Sequence, residues 1–391
     1  MRNTPINAEI VKQKIKESGL STVGKGSIRE IKRLVDTIEV ASGEKFIRME
    51  MGIPGLPPAQ IGIEGQIEAL RKGVAAIYPD IHGIAELKLE ISRFVKLFMG
   101  IDVKMEGCIP TVGSMQGSFA AFLTLSRIHK GRDTTLFIDP GFPVHKQQHA
   151  VLGIKHETFD VYNFRGEKLR DKLESYFSKG NIHSVIYSNP NNPSWICFTE
   201  NELQIIGELA NKYDIVILED LAYFGMDFRQ DFSKPGQPPY QPSVANYTDN
   251  YVLFISSSKV FSYAGERIGM MVISDGIFAR KYPDLKRYYQ SDIFGYVMIF
   301  GTLYPLSSGT SHSAQYALLA MLRAANDGQF DYIKIVKEYG EKAQIMKKMF
   351  TDNGFKIVYD TDVDKPIADG FYFTYSYPGF SGLELLEEMI Y

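Results

Sequence analysis

The strongest constraint on the fold is an alternation in the middle of the chain. Five short apolar runs, Thr135–Ile138, Val185–Tyr187, Ile215–Leu218, Val252–Ile255 and Ile268–Ile273, are separated by stretches with helical spacing near Met115–His129, Glu167–Phe177 and Glu200–Lys212. A strand that is apolar on both faces has to be covered on both faces. Strands of that kind divided by helices lead to an α/β fold with a mainly parallel sheet between helical layers. Ligands of such sheets sit at the carboxyl ends of the strands, so the residues that follow each run are the first place to look for chemistry.

Outside this region, Ile28, Ile31, Leu34, Val35 and Ile38 have helical spacing, and Phe46–Pro58 reads as a loop because Gly52, Pro54, Gly55, Pro57 and Pro58 break it. Helices are expected over Ile61–Lys72, from Gly83 to Met99, and over Ala314–Ala325 and Tyr332–Phe350, with a strand at Phe371–Ser376. The proline-rich stretch Lys234–Pro242 reads as a surface loop. With 391 residues, 45% hydrophobic and 23% charged, the chain has the composition of a globular enzyme. A net charge of -3 gives no electrostatic case for nucleic acid or an anionic membrane. Cys108 and Cys197 offer neither a metal spacing nor a disulfide framework, which suits a reduced compartment. Met1–Ile15 lacks the apolar core of a signal peptide. A cytoplasmic protein is expected.

Five segments carry chemistry. Ser256-Ser257-Ser258-Lys259 follows a strand, with Gly265 and Arg267 downstream. A lysine in a water-poor site at a strand end loses its proton easily and can form a Schiff base with an aldehyde. Small hydroxyls and an arginine nearby suit a phosphate. The same residues also match the Ser-x-x-Lys of serine β-lactamases, but the companion Ser-Asp-Asn and Lys-Thr-Gly motifs do not occur. Glu219-Asp220 ends another strand, and a buried acid there needs a partner such as a pyridinium nitrogen or a salt bridge. Ser188-Asn189-Pro190-Asn191-Asn192-Pro193 reads as a turn whose amides could donate to a phenolate oxygen. Gly113-Ser114-Met115 opens a helix, whose free N–H groups attract an anion. Asp139-Pro140-Gly141-Phe142-Pro143 presents a ring that could stack on a planar group or simply fill the core. P-loop, His-Glu-x-x-His and dinucleotide fingerprints are absent from the sequence.

Taken in order, these segments resemble the class I/II aminotransferases of the fold-type I pyridoxal-phosphate enzymes. The likeness runs from about Phe46 to the end, through Tyr78…Gly83, Gly113-Ser114, Asp139…Pro143, Asn189…Pro193, Asp220…Tyr223 and Ser256…Lys259…Arg267. The resemblance implies a large domain with a seven-stranded, mainly parallel sheet over residues 50–307. It implies a smaller α+β domain built from residues 1–49 and 308–391. It implies that Lys259 carries pyridoxal 5'-phosphate and moves the substrate proton, that Asp220 pairs with the pyridine nitrogen, and that Tyr223 and Asn192 bond the ring's O3′. Phe142 would stack on the ring. Ser114, the Met115 N–H, Ser256 and Arg267 would hold the phosphate, with Tyr78 reaching the phosphate of the neighbouring subunit in a homodimer. The activity implied is transfer of an amino group between an L-amino acid and a 2-oxo acid. The alternatives are a lyase, decarboxylase or synthase reaction on the same cofactor, or a non-catalytic cofactor-binding protein.

Two departures stand out. Ser194-Trp195 replaces the family's Thr-Gly after the Asn-Pro segment. Family members also continue past the position of Tyr391, into a strand whose arginine grips the substrate carboxylate, so the C-terminal domain is expected to be incomplete. The apolar residues Leu383, Leu385, Leu386, Met389 and Ile390 are accordingly expected to need a partner surface the chain does not supply.

Overall fold

The computed structural model describes residues 4–391. Its centre is a seven-stranded sheet: β1 (Cys108–Thr111), β2 (Thr134–Asp139), β3 (Lys155–Asp160), β4 (Ile182–Ser188), β5 (Val216–Leu221), β6 (Tyr251–Ser256) and β7 (Gly269–Ile273), in the order β1-β7-β6-β5-β4-β2-β3. β3, β2, β4, β5 and β6 are parallel, whereas β7 runs antiparallel to both β6 and β1. All five apolar runs are strands, with ends that move by up to three residues. β1 and β3 complete the sheet without having been marked by an apolar run. β1 contains Pro110, and β3 (KHETFD) is an edge strand exposed along most of its length.

Helices cover the sheet, some with side-chain caps and some without. Glu200–Tyr213 starts at a capping box in which the Thr199 side chain and Glu202 serve each other's backbone N–H groups. Its buried Leu203, Ile206 and Leu209 follow helical spacing. Ile109, Phe122, Phe137, Ile186, Val216, Leu218, Val252, Phe254 and Met271 form one continuous core between sheet and helices.

By packing, the chain forms two compact units. One compact unit comprises Pro54–Ala343 and Tyr359–Tyr372, and the other comprises the N-terminal residues to Ile53, Gln344–Val358 and Phe373–Tyr391. The helix His312–Asn326 belongs with the sheet because it packs on Gln60–Arg71 and Ala85–Met99. The strand expected at Phe371–Ser376 is reduced to Tyr375–Ser376, paired with Lys356–Ile357. Phe371 and Tyr372 turn instead onto Tyr223. In the second unit, Leu386 and Ile390 pack on Ile6, Val11, Leu34 and Ile38, so the chain does cover part of its terminal apolar helix; Leu383 and Met389 stay exposed. Among the described residues no helix is long and apolar enough to cross a membrane.

Candidate active site

The strand directions bring the five sequence segments to one edge of the sheet. Asp139–Phe142, Ser188–Pro193, Asp220–Tyr223 and Ser256–Lys259 lie at the carboxyl ends of parallel strands. Because β7 is antiparallel, Arg267 returns to that edge just before it. β1 delivers the start of helix Gly113–Leu125 to the same place, with Thr111 and Ser256 both paired to Gly269.

Ser256 Oγ accepts from Ser258 N at 3.1 Å, capping the short turn Ser257–Val260. Ser257 Oγ donates to the Ile268 carbonyl at 2.6 Å and ties that turn to β7. Lys259 lies on the turn, its Nζ 5.1 Å from the centre of the Phe371 ring. Burial, aided by the nearby Arg267 charge, lowers the Lys259 pKa to about 8. A neutral amine, the nucleophilic form, is therefore within reach near neutral pH.

Asp220 is 5% exposed. Its Oδ1 accepts from Ala222 N at 3.1 Å. Its Oδ2 lies 3.8 Å from His145 Nε2, beyond a good hydrogen bond. Burial raises the carboxyl to about 7 and pushes the neighbouring imidazole down to about 3. Glu219, on the opposite face of the strand, is provided for by the hydroxyls of Ser243 and Tyr187 and by Val244 N. Of the acidic pair, Asp220 is thus the one short of donors.

Asn192 Nδ2 donates to the Tyr223 hydroxyl at 3.2 Å. The Phe142 ring stands edge-on to His145, with centroids 5.4 Å apart and planes at 89°. Helix Gly113–Leu125 begins without a side-chain cap. Gly113 has φ +62, and a Cβ there would lie 2.7 Å from Arg267 Nη2, so the guanidinium lies directly over the helix start. Arg267 Nη1 donates to the Ala264 carbonyl at 2.8 Å and reaches Ser258 Oγ at 3.5 Å. Ser114 and Met115 are the next residues of the helix and are only partly covered. Uncapped N–H groups, the positive helix end and a guanidinium together make a phosphate-type anion site. Tyr78, by contrast, is 90% exposed, just beyond the short helix Val74–Ala76.

A flat, phosphorylated aldehyde with a basic ring nitrogen needs a nucleophilic amine, a buried acid, a donor for its phenolic oxygen and an anion site. Lys259, Asp220, the Asn192–Tyr223 pair and the Gly113/Arg267 cradle meet those needs within one unit. Four residues of this site were not singled out as site residues from the sequence. His145 was detectable in principle, three residues after Phe142 on the first turn of helix Pro143–Leu152. Trp195, noted in the sequence only as a departure from the family's Thr-Gly, is buried against Tyr223, while Phe371 and Tyr372 arrive from more than a hundred residues away with no local signal.

A profile of the family aminotransferase class I and II matches residues 46–361. The probable aspartate aminotransferase of Methanocaldococcus jannaschii is 26% identical over 351 residues, 88% of this chain and 82% of that protein. The LL-diaminopimelate aminotransferase of Natranaerobius thermophilus is 24% identical over 323 residues, 82% of this chain and 75% of that protein. Among solved structures, the aspartate aminotransferase of Thermotoga maritima shares the fold with a TM-score of 0.69 at 20% identity, covering 97% of this chain and 89% of that one.

Proposed function

The chain belongs to the class I and II aminotransferases, and from that premise we propose how its own residues carry the reaction. It is a pyridoxal-phosphate-dependent transaminase that moves an amino group between an amino acid and a 2-oxo acid. When bound, the cofactor supplies an aldehyde that amines capture and a ring that accepts an electron pair. In our reading Lys259 holds the cofactor covalently and, once displaced by the amino donor, carries the proton at the substrate Cα. Asp220 keeps the ring nitrogen protonated and thereby relieves its own lack of donors. Tyr223 and Asn192 bond the phenolic oxygen, Phe142 packs on the ring face, and Ser114, Met115 N, Ser256 and Arg267 hold the phosphate.

The observation that carries this reading is the pairing, at one sheet edge, of an amine held near neutrality with a buried carboxyl short of donors. Relatives named as aminotransferases give no support to the lyase, decarboxylase or synthase alternatives. The test is a half-reaction on the cofactor-loaded protein with a panel of amino acids. One equivalent of 2-oxo acid per site is expected from at least one donor, and none from Lys259→Ala. Carbon dioxide release without oxo acid, or no product from any donor, would contradict it.

We further propose a cytoplasmic homodimer acting on small molecules, without nucleic-acid or membrane partners. Supporting the dimer, the hydroxyl-bearing ring of Tyr78 is almost wholly exposed, as a residue donated to a neighbour's site has to be.

A further inference from the structure

Trp195 is the single tryptophan of the chain, and it is held under two penalties at once. Its backbone is left-handed at φ +64, which L residues adopt at a cost. Its indole is fully buried with Nε1 lacking a hydrogen-bond partner. Packing has to offset both. The indole lies against Gly370 so closely that a Cβ on residue 370 would overlap its Cε2, Cζ2 and Nε1 atoms. It stands 5.3 Å from the Tyr223 ring at 68° and 6.4 Å from the Tyr372 ring. Tyr372 in turn meets Tyr223 edge-on at 5.5 Å, and Phe371 lies 5.6 Å from Tyr223. The segment that brings these rings is moored by Asp362, which takes Arg165 Nη1 at 2.7 Å, Arg229 Nη2 at 2.9 Å and Cys197 N at 3.2 Å.

We propose that Trp195 is a positioning residue: seated on Gly370, its indole wedges Phe371 and Tyr372 against Tyr223 and fixes the direction of the Tyr223 hydroxyl. Asn192 already holds that hydroxyl; the wedge holds its ring. The proposal rests on the reading that Tyr223 bonds the cofactor's phenolic oxygen. A donor to that oxygen steadies its negative charge and eases proton loss from the chromophore. Misdirecting Tyr223 therefore raises the pH midpoint of the bound cofactor's visible absorbance.

The experiment compares full-length wild type, Trp195→Gly, Gly370→Ala, the double variant and Tyr223→Phe, all loaded with pyridoxal phosphate and titrated spectroscopically. Trp195→Gly and Gly370→Ala should each raise the midpoint by about one pH unit, the lower end of what losing a hydrogen bond to a charged group produces. The double variant should match Trp195→Gly, because a Cβ at 370 then meets no indole. Gly370→Ala should also shift the tryptophan emission to the red without cofactor. If Gly370→Ala alone does not fold, the double variant should restore folding. A midpoint moved by Tyr223→Phe but not by Trp195→Gly or Gly370→Ala overturns the wedge and leaves the role of Tyr223 standing. Additive effects in the double variant, or no restored folding, also overturn it. A midpoint unmoved by Tyr223→Phe removes the reading of Tyr223 and the wedge together.

Discussion

Asp220 holds its carboxyl under conditions that favour the neutral form, and this has a measurable sign. The folded pKa is raised to about 7 by burial, from an ordinary value near 4. Between those pH values the folded state binds a proton the unfolded state has released, so the Asp220 contribution to the stability of the cofactor-free protein is lost as pH rises from about 4 to 7. Glu219, also raised to about 7, acts in the same direction, while the buried His145, His149 and His183, lowered to about 3, 4 and 3, act in the opposite one. A cationic ring nitrogen beside Asp220 cancels only that residue's share. The stability gained on adding cofactor should therefore be larger at pH 8 than at pH 5, by on the order of a few kcal/mol. Thermal unfolding with and without cofactor at the two pH values checks it. An equal gain at both would show that Asp220 meets no cation. Asp220→Asn should lower turnover about 100-fold or more with the fold intact, since the electron-accepting ring then loses its fixed proton. Near-normal turnover would remove Asp220 from the role.

At the scale of elements, the site depends on how closely helix Gly113–Leu125 approaches the loop before β7. Gly113 makes that approach possible through its positive φ and the absence of a Cβ beneath Arg267. Gly113→Ala should push the guanidinium from the helix start and raise the dissociation constant for pyridoxal phosphate about tenfold, the effect of weakening one charge-assisted contact. Fluorescence titration of the cofactor-free protein measures it; an unchanged constant would show that the phosphate sits elsewhere. This architecture was legible where single segments decide it. β2, β4, β5, β6 and β7 announced themselves because buried strands need uninterrupted apolar residues, and four of the five chemical segments lie at the end of one of them, the fifth following β1. β3 was silent because an edge strand tolerates the polar sequence KHETFD, and β1 because Pro110 obscures it. Phe371, Tyr372 and the seat of Trp195 on Gly370 were hidden for a different reason. They depend on contacts across more than a hundred residues, which no local pattern encodes.

At the scale of the whole molecule, the exposed Tyr78 makes a prediction about assembly. If its ring serves a neighbour's phosphate, a Lys259→Ala subunit still donates an intact Tyr78 and a Tyr78→Ala subunit still provides an intact Lys259. Mixing the two impaired variants under subunit exchange should then restore activity, toward a quarter of wild type when hybrids form at random. No restoration would mean that Tyr78 acts within its own subunit or not at all. The cofactor-binding groups surround one lysine, Lys259, at the carboxyl ends of the strands. The most direct measurement is borohydride reduction of the cofactor-loaded full chain, followed by peptide mapping. A single pyridoxyl-modified peptide with the label on Lys259 is expected. A label on any other lysine, or no stable label, would contradict it.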